Sequence, residues 1–185
     1  SPARKIVVTV NQPVSVTTQP VNRTICTDKV ATFTVAGTGS GTLTYQWQVS
    51  TNSGGTWANV ANGGVYAGAT SATLTITAPP VSMSGYFYRC VITCAAPCPG
   101  VNSGFGILTV NPLPTIIISN DVEICIYQST QLNASGGNDY YWYPDDGLTD
   151  DSISNPMAFP TDTTNYVVTV TDSNGCVNLD SVVVT

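Results

Sequence analysis

Apolar residues alternate with hydroxyl-bearing ones along most of this chain, and no stretch shows the spacing of a helical stripe. Ala31-Thr-Phe33-Thr-Val35, Leu43-Thr-Tyr45-Gln-Trp47-Gln-Val49 and Leu74-Thr-Ile76 each put an apolar side chain at every second position, the period of a half-buried strand. Residues 86–92 and 105–110 are short apolar runs of strand length. Asn52-Ser53-Gly54-Gly55 predicts a hairpin with residues 56–60 as its return strand. Residues 131–134, 141–144 and 166–170 repeat the scheme in fewer residues, and Asp172-Ser-Asn-Gly175 supplies another hairpin turn. The predicted fold class is all-β, two tandem antiparallel β-sandwiches.

A recurring phrase divides the chain. Ile6-Val-Val-Thr-Val10-Asn-Gln-Pro13 returns as Ile107-Leu-Thr-Val110-Asn111-Pro112, and nearly as Val182-Val-Val-Thr185, at a spacing of one sandwich. The boundaries this predicts are residues 1–12 as the last strand of a preceding domain or a donated strand, 13–111 as one sandwich and 112–185 as a second. Leu113-Pro114 makes a short linker.

Composition supports this reading. Hydrophobic residues make up 42% of the 185, enough for a core, and charged residues only 9%; Thr, Val, Ser, Asn and Gly favour strands and turns. No run approaches the roughly 18 apolar residues of a membrane helix, and residues 1–5 carry no signal-peptide core, so neither an anchor nor a leader is expected in this segment. Residues 1–111 hold all five basic residues and one acid; residues 112–185 hold ten acids and no base. Nucleic-acid binding is thereby disfavoured. Such a bipolar chain suits head-to-tail contact with its own copies, or cations.

Six cysteines (26, 90, 94, 98, 125, 176) and no histidine point to disulfides and an oxidising compartment rather than zinc. The two halves align: Cys26 lies nine residues before Val35 and Cys125 nine before Ala134, while Cys98 and Cys176 each lie ten after a tyrosine, Tyr88 and Tyr166. If the strands following the first position and preceding the second run antiparallel, both positions share one pole. The expected bridges are then Cys26–Cys98 and Cys125–Cys176, with Cys90 either a buried thiol or bonded to Cys94. Cys26–Cys90 with Cys94–Cys98 stays open as the alternative.

Tyr45-x-Trp47, Trp57, Leu74-x-Ile76 and Gly85-x-x-Tyr88-x-Cys90 resemble bacterial immunoglobulin-like (Ig-like) repeats, with Tyr88 in the place of a tyrosine corner whose phenol bonds back to the backbone. Trp142-Tyr143-Pro144, Asn155-Pro156, Thr163-Thr164-Asn165-Tyr166 and residues 171–176 resemble PKD-like repeats. Together they are similar to the repeat arrays of giant surface adhesins of Bacteroidota exported by type IX secretion. The resemblance implies an extracellular, cell-surface chain with a structural and adhesive role in gliding, attachment or prey capture, and Trp47, Tyr88, Trp142 and Tyr166 as core signatures. Vertebrate receptors share the Trp and Tyr-x-Cys pattern, but Val35 stands where they have cysteine.

Candidate chemistry is sparse. Without histidine no Ser-His-Asp or Cys-His arrangement exists, and Glu123 is the only glutamate, so no enzyme and no cofactor is expected. Asp145, Asp146, Asp150 and Asp151, with Asp139 or Asp162, are candidate calcium ligands against the plainer reading of a solvated loop. Trp57, Tyr66, Tyr86, Tyr140 and Tyr143 are candidate sugar platforms, weighed against strand packing. Ser152, Thr163 and Ser181 match the short O-glycosylation pattern of Bacteroidota proteins, and Asn22 and Asn133 open N-glycosylation sequons. The expected function is a structural and adhesive repeat segment whose partners are its own copies, neighbouring repeats or surface glycans. The alternatives are a carbohydrate-binding or spacer module of a secreted enzyme, and a receptor-type ectodomain.

Overall fold

The structure, a computed structural model, describes residues 10–94 and 99–185. The solitary strand expected near the N-terminus, and Cys98, lie outside the described residues. The chain divides into two units, 1–110 and 111–185.

In unit 1 the alternating runs become β1 (Ser15–Thr18), β2 (Arg23–Cys26), β3 (Val30–Thr34), β4 (Ala36–Thr38), β5 (Thr44–Ser50), β6 (Ala58–Asn59), β7 (Tyr66–Ala67), β8 (Thr73–Thr77), β9 (Phe87–Thr93) and β10 (Val101–Asn111). Five of them form a sheet in the order β2-β10-β9-β5-β6, three form β3-β8-β7, and β1 pairs with β4. One core joins the two larger sheets: Ala31, Phe33, Leu74 and Ile76 meet Trp47, Tyr88, Cys90, Ile92 and Leu108. Phe33 stacks on Tyr88 at 5.0 Å. Each is an inward position of its alternating run, so the period-2 pattern is realised as a sandwich.

Unit 2 is built from β11 (Ile117–Ile118), β12 (Thr130–Gln131), β13 (Ala134–Ser135), β14 (Asp139–Tyr143), β15 (Met157–Ala158), β16 (Thr164–Thr171) and β17 (Val177–Val184). The sheet β14-β16-β17 carries Trp142, Tyr166, Val168, Val170, Val182 and Val184, which pack with Leu132, Ala134 and Ala158 from the facing pairs β11-β13 and β12-β15.

Trp47 and Trp142 solve one problem alike. Each is fully buried, and each indole N–H donates to a carbonyl at 2.9 Å, Trp47 to Ser71 and Trp142 to Ile153, so no buried donor is orphaned. The tyrosines differ. The Tyr166 phenol donates to the Asp146 carbonyl. Tyr88 departs from the expected corner: its phenol pairs with that of Tyr66 at 3.0 Å, because β7 brings a second tyrosine to the place where backbone was expected.

Strand direction overturns the expected Cys125–Cys176 bridge, while Cys26–Cys98 falls on a residue outside the described ones. Gly104 N–H donates to the Gln19 side chain and Ile107 N–H to that of Asn22, so the chain leading through β2 advances with β10 and brings Cys26 to the Asn111 end. It turns back at once, Lys29 N–H donating to the Cys26 carbonyl. Hence β3 runs against β10, as β9 does, and β3 and β9 share one direction. Cys94, following β9, lies at the Val101 end, the opposite pole from Cys26. Unit 2 has the same plan. Val122 bridges Val184 in parallel and Ile124 N–H donates to the Thr185 carbonyl, whereas Cys176 follows β16 at the Val177 end of β17. Eight residues of strand, about 26 Å at ~3.3 Å each, separate those poles.

Accordingly Cys125 is an exposed thiol and Cys125–Cys176 does not form. Cys90 is a buried thiol as well, so Cys26–Cys90 and Cys90–Cys94 do not form either. Cys26 and Cys176 are disulfide-bonded.

Candidate functional site

Outward positions of the five-stranded sheet gather an aromatic and cationic cluster. Because Tyr88, Cys90 and Ile92 face the core, alternation turns Phe87 and Arg89 outward, and the register sets Gln48, Arg89 and Phe105 in one row across three strands. The Arg89 guanidinium lies 4.2 Å over the Trp57 ring while its Nε donates to the Gln48 side chain. Phe87 stacks on Phe105 at 4.7 Å, and Phe105 is 50% exposed. The Trp57 indole N–H donates to the Gly54 carbonyl, which ties the ring to its hairpin. A cation over an indole contributes about 0.5–1 kcal/mol at exposed sites. The cluster is therefore held in place by the sheet.

This site differs from the expected sugar platforms. Arg89 covers one face of Trp57. Tyr66 pairs with Tyr88, Tyr86 packs against the core, and the Tyr140 hydroxyl donates to the Gly137 carbonyl. Tyr143 stands exposed, with Tyr141 two residues away on the same face. Phe87, Arg89 and Phe105 were missed by sequence reasoning, although their alternation with Tyr88 and Cys90 was the signal that could have found them.

The acidic loop reads in sequence as a solvated loop, weighed against a calcium site. Among the described residues no group of three or more acidic, cysteine or histidine side chains is placed to hold a metal. One of its carboxylates closes a turn, and three of its backbone carbonyls are engaged. The Asp150 carboxylate accepts from the Ser152 hydroxyl and N–H, which lowers its pKa, while the Asp145, Asp146 and Asp151 carbonyls accept from Leu148, Tyr166 and Trp142. Asp139 lies on β14, while Asp162 lines one cleft together with Asp146 and another beside Cys125. Ser152, Thr163 and Ser181 are exposed. Asn22 accepts from Ile107 N–H, and Asn133 N–H donates to the Ser119 hydroxyl.

Cysteine chemistry splits by environment. Burial among apolar side chains pushes the Cys90 thiol up to about 11, which makes it inert at neutral pH. Cys125 instead opens onto a cleft of about 230 Å³ lined by Ile124, Ile126, Pro160, Asp162 and Thr185.

A family profile matches residues 15–112, more than half of the chain. The chain belongs to that family, DUF8696, described as a domain of unknown function. The DUF8696 match spans β1 to β10 and so includes the aromatic cluster. No curated protein matches. Among solved structures, the chain is similar to the N-terminal four Ig domains of Dscam1 isoform 6.9, at 13% identity over 95% of this chain and 46% of that one, with a TM-score of 0.50. It is also similar to the Ig1-2 module of the Drosophila receptor protein tyrosine phosphatase DLAR, at 15% identity over 93% and 97%, TM-score 0.43. A three-domain titin fragment gives 15% identity over 94% and 65%, TM-score 0.48. At these identities the likeness shows the fold alone, tandem Ig-like β-sandwiches.

Proposed function

We propose that this chain is an adhesive and structural repeat segment of a large extracellular bacterial surface protein, in which the DUF8696 sandwich presents a contact face and a PKD-like sandwich follows it. The observation that carries this reading is the outward Trp57, Arg89, Phe87 and Phe105 cluster. Aromatic and arginine side chains on rigid strands are what protein interfaces use as anchors, since little entropy is lost on binding. The disulfide supports an oxidising, extracellular setting, and the opposed charges of the two halves suit repeats meeting one another. Type IX export and a role in gliding, attachment or prey capture follow from the resemblance of the repeats. The chain acts in this reading as a non-enzymatic module.

Beads coated with the whole chain should adhere to bacterial surfaces or to one another. A variant combining Arg89→Ala and Phe105→Asp should lose that adhesion while keeping its melting temperature within about 2 °C, since both side chains are partly exposed. Adhesion undiminished by the double substitution would remove this face from the function.

A further inference from the structure

Unit 2 carries an outward sheet face of its own. In the sheet β14-β16-β17 the side chains of Trp142, Tyr166, Val168 and Val182 turn inward, so alternation turns Asp139, Tyr141 and Tyr143 of β14 to the other side. The register carries that side across the sheet: Tyr141 stands opposite Thr169 and Thr169 opposite Leu179, while Asp139, Thr171 and Val177 make the adjoining row. Tyr141, Tyr143 and Leu179 are 53%, 65% and 63% exposed. Large apolar side chains gathered in this way on regular strands mark a contact surface. Both phenols can bond outward, since among the described residues neither makes a hydrogen bond.

Charge selects what fits this face. The charged residue in these rows is Asp139, and residues 111–185 as a whole carry acids and no base. The outward face of unit 1 is aromatic too, but its charge is Arg89. Gln48 holds the Arg89 Nε, and the two terminal nitrogens make no hydrogen bond among the described residues. Each face thus presents the charge that the other lacks. Like faces would meet badly: two unit 1 faces set Arg89 against Arg89, and two unit 2 faces bring acidic halves together, which like-charge repulsion disfavours.

We propose that the Trp57, Arg89, Phe87 and Phe105 face of one copy docks on the Tyr141, Tyr143 and Leu179 face of a second copy, with Arg89 reaching Asp139. Aromatic and arginine side chains are those that the centres of protein interfaces favour. The contact deepens the reading of the unit 1 cluster as a docking face, on which it rests, and gives that face its partner. Because the two faces differ and every copy carries both, the contact is heterologous, and copies can keep adding in a row.

Sedimentation velocity of the whole chain over a concentration series tests this. The average mass should rise with concentration. Arg89→Glu and Leu179→Asp should each weaken self-association about tenfold or more, with melting unchanged within about 2 °C because both side chains lie on outward faces. Tyr143→Ser, at a second point of the unit 2 face, should act as Leu179→Asp does. An equimolar mixture of the Arg89→Glu and Leu179→Asp chains should form a one-to-one complex, since each supplies the intact face that the other has lost. Arg89→Glu combined with Asp139→Arg should restore self-association. A chain that stays monomeric at every concentration, unit 2 variants that associate as the parent does, or a mixture that associates no better than its parts overturns the proposal. Adhesion to bacterial surfaces is scored separately: self-association without it keeps this contact and discards the adhesive role, and adhesion by a chain that stays monomeric does the reverse.

Discussion

The phenols of Tyr66 and Tyr88 hydrogen-bond to each other at 3.0 Å, with Tyr88 fully buried. Burial raises the pKa of both, so each stays protonated and one donates to the other. Removing one hydroxyl strands its partner, and a stranded buried polar group costs about 1–3 kcal/mol. Tyr66→Phe should destabilise unit 1 by that amount in urea unfolding followed by tryptophan fluorescence. Adding Tyr88→Phe should recover part of the loss, because the pair is then removed together. Additive losses would show that the bond contributes nothing.

Unit 1 should weaken in alkali. The Cys90 pKa is raised in the folded state by burial, so its contribution is full below pH 9.0 and is lost as pH rises towards about 11. Tyr66 and Tyr88 act in the same sense above pH 10.0. Melting scans from pH 7 to 11 should show a decline beginning near pH 9 that Cys90→Ala moves to higher pH.

Unit 2 should respond to acid instead. The Asp172 carboxylate accepts from the backbone N–H groups of Cys176 and Asn174, which lowers its pKa below 3.8. A depressed folded value gives stability that is present above pH 3.8 and lost as pH falls through the lower folded value. Asp172→Asn should flatten the acid limb of a melting profile taken between pH 5 and 2.

Thiol reactivity should separate the cysteines. Iodoacetamide at pH 8 should label Cys125 within minutes and Cys90 only once unit 1 unfolds, since a buried thiol with a raised pKa presents neither thiolate nor access. Rapid labelling of Cys90 in the native chain would contradict its burial.

At Gly106 a Cβ would sit 2.6 Å from the Val21 carbonyl and 2.7 Å from the Phe33 ring. The bare backbone lets the chain before β2 and the core ring both close on β10. Gly106→Ala should cost about 1–3 kcal/mol, the usual range for overpacking, measured as a lowered urea midpoint for unit 1.

Much of this molecule was legible as pattern. Trp47, Phe33, Leu74, Tyr166 and Val168 are inward because their runs alternate, and alternation fixes the face of a strand wherever the strand is placed. The same rule places Phe87 and Arg89 outside. Other features were not legible. The partner of the Tyr88 phenol depended on β7, a two-residue strand that no periodicity marks. The acidic loop read as a solvated loop with calcium as the alternative, because proximity in sequence says nothing about which groups are already engaged in turns.

The cysteines show the division most sharply. By itself the sequence determined that each sandwich carries one cysteine before its first long inward run and one after its tyrosine strand. Only the tertiary structure decided that Cys26 stands at the opposite pole from the end of β9, and Cys125 from Cys176, because a period-two pattern reads the same in either direction. Strand sense is set by the turn after Cys26 and by the parallel run of β2 along β10, contacts between segments more than 80 residues apart in sequence.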